Sequence, residues 1–243
     1  MFSRRIILFA GLLATASCVR QTPPQRLTVA AAANLTDTFT KLGADFERST
    51  GIHVVFSFAA TGDLTRQIEN AAPFDVFAAA DIDHMHQLQE QDLLLQGTLH
   101  IFARGQLALF GSARSLQDLA TDKIRFVAIA KPATAPYGRA AVEALKASGL
   151  WESVQSKVVY AENINVSRQY AITGNADAAF TAYSLVLNDK PILIDPKLYA
   201  RIDQGIAVLK SSKRAADAQR FVEYVMSAAG QRLLEQSGYG KPL

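Results

Sequence analysis

Between Leu27 and Ala79 short apolar strands alternate with amphipathic helices, and this alternation constrains the fold more than any other feature of the chain. Leu27 to Ala31 is a run of small apolar residues, fit for a buried strand. Leu35, Phe39, Leu42 and Phe46 then recur at spacings of four, three and four, the period of a helix with one apolar face. Asn34 stands where an N-cap is expected and Gly51 where a helix stops. His53 to Phe58 is a second strand, Leu64, Ile68 and Ala71 mark a second helix ending near Pro73, and Asp75 to Ala79 is a third strand. Parallel neighbours need a crossover helix between them, so β-α-β-α-β implies a parallel sheet covered on both faces.

The middle of the chain repeats the style. Leu107 to Phe110, Phe126 to Ala130, Lys157 to Tyr160 and Ala178 to Ala182 are expected strands. Helices are expected from Pro136, with Ala141, Leu145 and Leu150 on one face, and over Ser167 to Thr173. Ile206 to Leu209 is a late strand, and Ala215 to Gln236 carries Phe221, Val225, Leu233 and Leu234 at helical spacing. Two α/β units of this size imply two lobes with a cleft between them. Ligands of open α/β sheets sit beyond the carboxyl ends of the strands, beside helix N-termini.

The chain has 243 residues, 49% of them hydrophobic and 19% charged, enough for a large core and unlike a disordered segment. Its start is not part of that core. Met1 to Arg5 is short and basic, Ile6 to Ala14 is apolar but too short to span a bilayer, and small residues follow. Residues 1–17 are therefore an export signal. With Arg4 and Arg5 set aside, 23 basic residues face 22 acidic ones, a balance of +1. No basic stripe alternates with aromatics, so nothing asks for nucleic acid. Cys18 is the only cysteine and cannot form an internal disulfide. Placed after Ala16-Ser17, it is either a lipid-modified residue or one lost with the signal, and residues 18–26 are a polar, proline-bearing tether. The mature protein is expected to be soluble or lipid-anchored outside the cytoplasm, and monomeric.

Four strand-to-helix turns combine small or polar residues with a helix start: Ala32 to Leu35, Ala60 to Asp63, Ala135 to Gly138 and Glu162 to Asn165. A helix start leaves N–H groups unbonded and carries a partial positive charge. Several converging starts would bind an oxyanion with neutral donors alone. Taken singly, each turn is equally an ordinary cap.

The segments VAAAANLTDTF, VFSFAATGDLTRQIENAAPFDVFAAAD, IAKPATAPYGRAAVEAL, AENINVSRQYAITGNADAAF and VLKSSKRAADAQRFVEYV, in this order and spacing, resemble the molybdate-binding proteins of bacterial ABC importers. The resemblance runs from Leu27 to Gly240. It implies a type II periplasmic binding protein, an α/β fold of two lobes, with residues 27–105 plus 203–243 in one lobe and 106–202 in the other. It places the hinges near Ala103 to Gln106 and Tyr199 to Asp203. It also implies an oxyanion held by Asn34 with the backbone of Asn34 or Ala33, by the Thr61 hydroxyl, and by the N–H groups of Tyr137 and Ile164, with Ala80 close by. The implied ligand is molybdate or tungstate, the implied partners are a membrane permease and its cytoplasmic ATPase, and no cofactor is implied. Three positions depart from the family's usual pattern: Ala60 replaces a hydroxyl, Lys131 an asparagine and Ala161 a glycine. Sulfate, phosphate or ferric ion on the same fold are the alternatives.

Other residues carry weaker signals. Asp81, Asp83, His84 and His86 lie close together, but His84 and His86 diverge on a helix, so they are read as a polar helix start rather than a metal site. Arg66 and Arg139 are read as helix surface, and Tyr183-Ser184 as candidates for lining the cleft. No nucleophile elbow, P-loop or zinc motif occurs, so the chain is not read as an enzyme.

Overall fold

The computed structural model describes residues 26–242, so the signal, Cys18 and nearly all of the tether lie outside the described residues. In chain order the elements are β1 (Arg26–Ala32), α1 (Thr36–Thr50), β2 (His53–Ala59), α2 (Thr61–Glu69), β3 (Val76–Ala78), α3 (Asp83–Glu90), β4 (His100–Gly105), β5 (Leu107–Gly111), β6 (Val127–Ala130), α4 (Pro136–Ala147), α5 (Trp151–Val154), β7 (Val158–Ala161), α6 (Ile164–Ile172), β8 (Ala178–Ala182), β9 (Ile192–Leu193), β10 (Ile202–Val208), α7 (Ala215–Met226) and α8 (Ala228–Gln236).

The strands form two five-stranded sheets, ordered β2-β1-β3-β10-β4 and β7-β6-β8-β5-β9. Each has a parallel core, β2-β1-β3 and β7-β6-β8, as the alternation requires. Each also has antiparallel members, β10 and β4 in the first, β5 and β9 in the second. These strands return the chain between the sheets, so they run against the crossover strands. Only Gln106 separates β4 in one sheet from β5 in the other.

The spaced apolar residues of α1 all face inward: Leu35, Phe39, Leu42 and Phe46 are essentially fully buried. Phe39 meets Phe102 at 5.6 Å and Phe46 meets Phe221 of α7 at 5.3 Å between ring centroids. Burying each such ring contributes roughly 1.5–3 kcal/mol, so α1 is held by packing rather than by caps. Gly51 ends it as expected, with φ of 73° and its N–H on the Glu47 carbonyl. Four helix boundaries differ from the periodic reading: α2 stops at Glu69, short of Ala71, and α4 at Ala147, short of Leu150, while two others are set by single side chains. The expected C-terminal helix is two, because Ser227 is extended and its hydroxyl accepts from Gly230 N–H, starting α8 afresh. The helix expected from Ser167 starts a turn earlier, because the Asn163 side chain accepts from the N–H groups of Asn165 and Val166. Among the described residues no helix is long and apolar enough to cross a membrane.

Candidate functional site

The loops at the carboxyl ends of β1, β2, β3, β6 and β7 meet between the two sheets. There they surround a small cavity. Ala33, Asn34, Thr61, Ala80, Tyr137 and Ile164 line it together, with four further alanines and Pro136. No charged side chain is among the lining residues. The lobes touch directly around it: Gly62 N–H donates to the Thr134 carbonyl at 2.9 Å, joining the start of α2 to the loop before α4.

Each turn presents its donors for a local reason. Asn34 is not the N-cap of α1. It lies in a 3₁₀ turn, Ala33–Leu35, that precedes the helix, and no side chain caps either start. Its amide is drawn instead to Gln204 and Tyr239. Thr61 is the first residue of α2, after Ala60, which has no capping group. The Thr61 hydroxyl, 1% exposed as a residue, accepts from Ala80 N–H at 3.1 Å. Two consequences follow. Ala80 spends its N–H on Thr61 rather than offering it to the cavity, because the short loop after β3 brings it against the start of α2. The Thr61 hydroxyl, with an acceptor position filled, keeps its own proton to donate.

The third turn ends in Pro136 at the first position of α4, where a missing N–H costs nothing. Gly138 and Arg139 both donate to the Ala135 carbonyl, and Tyr137 N–H is left over. In the fourth turn Asn163 takes the N–H groups of Asn165 and Val166 at 3.0 Å each, leaving that of Ile164. Among the described residues, the N–H groups of Asn34, Thr61, Tyr137 and Ile164 have no protein acceptor. All four residues line one cavity.

The acidic and histidine residues after β3 form the polar start of α3, as expected, and some of them do more than that. Asp81, 6% exposed as a side chain, accepts from His84 at 2.8 Å and from Arg139 of α4 at 3.1 Å. Arg139 also reaches Asp83 at 3.2 Å. Arg139 is thus a bridge between the lobes, not mere helix surface. Burial alone would raise the Asp81 carboxyl, but its hydrogen bonds and charges from His84 and Arg139 outweigh this and hold it below the usual value. Arg66 does lie on the helix surface, paired with Asp63. Ser184 donates to the Asn34 carbonyl at 3.3 Å, and neither it nor Tyr183 lines the cavity.

Gln204 and Tyr239 escaped the sequence reading. Gln204 lies in the strand Ile202–Val208 and is fully buried, whereas its polar neighbour Asp203 is partly exposed and pairs with Arg104. That burial matters, since a buried amide must find partners.

Residues 27–240 match the family model of bacterial extracellular solute-binding proteins. The molybdate-binding protein ModA of Azotobacter vinelandii is 34% identical, over 97% of this chain and 96% of that protein. Its namesake in Rhodobacter capsulatus is 32% identical over 86% of each. The solved periplasmic molybdate-binding protein of Azotobacter vinelandii superposes with a TM-score of 0.85 at 28% identity, covering 89% of this chain and all of that one. The chain therefore belongs to the bacterial extracellular solute-binding proteins and, among them, to the ModA family.

Proposed function

We propose that this protein captures molybdate or tungstate outside the cytoplasm and delivers it to the permease of an ABC importer. The observation that carries this is that four residues with unpaired backbone N–H groups, one of them with a hydroxyl proton to donate, line one small cavity without a charged lining residue. A metal cation would need negatively charged partners there, whereas neutral N–H and O–H donors suit an anion. The relatives' names supply the identity of the anion.

The donors are the N–H groups of Asn34, Thr61, Tyr137 and Ile164 and the Thr61 hydroxyl. Hydrogen bonds to a charged group contribute roughly 1.5–3 kcal/mol each, so five give about 8–15 kcal/mol gross. Ordering and lobe closure take back several, and a net of about −8 kcal/mol is already micromolar binding. Ala80 acts by orienting Thr61. Neutral donors have no base to accept a proton, which favours an anion without one. A ligand touching both lobes binds the closed form better and shifts the population towards it. The hinges are the junction at Gln106 and the segment leading into β10. Sulfate on the same fold is the competing reading, and the names of the relatives count against it. Calorimetric titration with molybdate, repeated in excess sulfate, is expected to show near-stoichiometric binding that sulfate does not compete away. No molybdate heat and no thermal stabilisation would sink the proposal.

Arg139 should add modestly to closure. It is 44% exposed, so its pairs with Asp81 and Asp83 are screened and contribute on the order of 0.2–1 kcal/mol. Arg139→Gln is expected to raise the molybdate Kd at most roughly fivefold, through faster release, with less dependence on salt. The sign with pH follows from Asp81. Its folded value is depressed, so its contribution to stability is full above the ordinary 3.8 and is lost as pH falls through the lowered value. Stopped-flow release at two salt concentrations and acid unfolding of both proteins check this. An unchanged release rate would remove Arg139 from closure.

A further inference from the structure

Asn34 is 1% exposed, and its amide heads a chain of buried side chains. Asn34 Nδ2 donates to Gln204 Oε1 at 3.0 Å and to Tyr239 Oη at 3.3 Å. Gln204 Nε2 donates to Tyr137 Oη at 3.0 Å, joining β10 of the first sheet to α4 of the second lobe. With the chain running in this sense, two groups are left over among the described residues. Asn34 Oδ1 is buried without a donor, on a residue lining the cavity. The Tyr137 hydroxyl accepts from Gln204 and its proton finds no acceptor. A buried unsatisfied polar group is costly, and an acceptor oxygen is the wrong end of an amide to show an anion.

Half a turn of both amides pairs the Tyr137 proton and the Asn34 oxygen, gives up the 3.3 Å bond from Asn34 Nδ2 to Tyr239 Oη, and leaves the Asn34 N–H groups free for a ligand. The heavy-atom positions, and so the 3.0 Å separations, are retained. Tyr137 O–H then donates to Gln204 Oε1, Gln204 Nε2 donates to Asn34 Oδ1, and Asn34 Nδ2 takes the place of the unpaired oxygen. Tyr239 keeps its 2.8 Å bond to the Asn34 carbonyl in either sense. Burial pushes the Tyr137 phenol well above its ordinary value, so its proton is present at any physiological pH. Donors linked head to tail also polarise one another, strengthening the terminal N–H.

We propose that Gln204 is a positioning residue for the oxyanion: backed by the Tyr137 hydroxyl, it sets the sense of the chain so that Asn34 offers N–H to the ligand. This rests on the oxyanion reading above. It also ties recognition to closure, since the Gln204–Tyr137 bond joins the two lobes.

The test is calorimetric titration of the mature chain with molybdate, for the unmodified protein, Gln204→Glu and Tyr137→Phe, from pH 5 to 8. A carboxylate at position 204 accepts but cannot donate, so it turns Asn34 Nδ2 away from the cavity. Its expected effect is a loss of affinity of about tenfold or more near neutral pH, recovering as pH falls and the carboxyl gains a proton to donate. Tyr137→Phe leaves the backbone N–H in place and adds no charge. It is expected to weaken binding about three- to tenfold. If the amides held only the first sense, losing that hydroxyl would lower stability in the free and bound forms alike and leave the Kd unchanged. An unchanged Kd in Tyr137→Phe overturns the proposal, and that variant decides alone if Gln204→Glu does not fold. Failure of the unmodified protein to bind molybdate overturns the oxyanion reading and this inference with it.

Discussion

Gly138→Ala is expected to abolish high-affinity molybdate binding and to lower the unfolding midpoint sharply. A Cβ at this position would sit 2.0 Å from the Ala130 carbonyl oxygen and 2.8 Å from its carbon. Those are backbone atoms at the end of β6, in the fully buried core, so no side chain can swing aside. α4 must lift from the sheet instead. Overpacking of this kind costs about 1–3 kcal/mol, and more where backbone has to move. Tyr137 precedes Gly138 and moves with it, taking its free N–H and its hydroxyl bond to Gln204 out of place. Losing the N–H contact to the anion, roughly 1.5–3 kcal/mol, together with the bond that positions Gln204 raises the Kd about a hundredfold. Thermal unfolding and calorimetry on the same preparation separate the two effects. A variant that binds like the parent would mean that the start of α4 is not part of the site.

Thr61→Val should act on both affinity and stability, by different atoms. It preserves shape and deletes the hydroxyl. The ligand loses one donor, about 1.5–3 kcal/mol, or roughly ten- to hundredfold in Kd. Ala80 N–H loses its 3.1 Å acceptor in a buried site, about 1–3 kcal/mol of folding stability. Thr61→Ser keeps the hydroxyl and is expected to recover most of both. If valine lowers stability but not affinity, Thr61 serves only to hold Ala80. The methyl group of Ala60 makes the effect larger, because no neighbouring hydroxyl stands in.

The elements themselves were legible in the sequence wherever periodicity was strong. The parallel cores β2-β1-β3 and β7-β6-β8 follow from strands alternating with helices, and α1 lies where its apolar spacing put it. Boundaries were less legible where a single side chain decides them, as Ser227 and Asn163 do. The turns holding Thr61, Tyr137 and Ile164 were also visible as turns. Their chemistry was ambiguous, because a cap and a ligand donor use the same residue types.

What local sequence determined, then, was which segments become strands and helices, since propensity, apolar spacing and glycine conformation act over a few residues. What only the tertiary structure decided was how distant polar groups pair. Asn34 became a partner of Gln204 across 170 positions instead of a helix cap. Arg139 left the helix surface for Asp81, 58 positions away in the other lobe. Ala80 turned its N–H to Thr61. The physical reason is common to all three: a buried donor or acceptor must be satisfied by whatever the packed chain brings within about 3 Å, and spacing along the sequence carries no record of that neighbour.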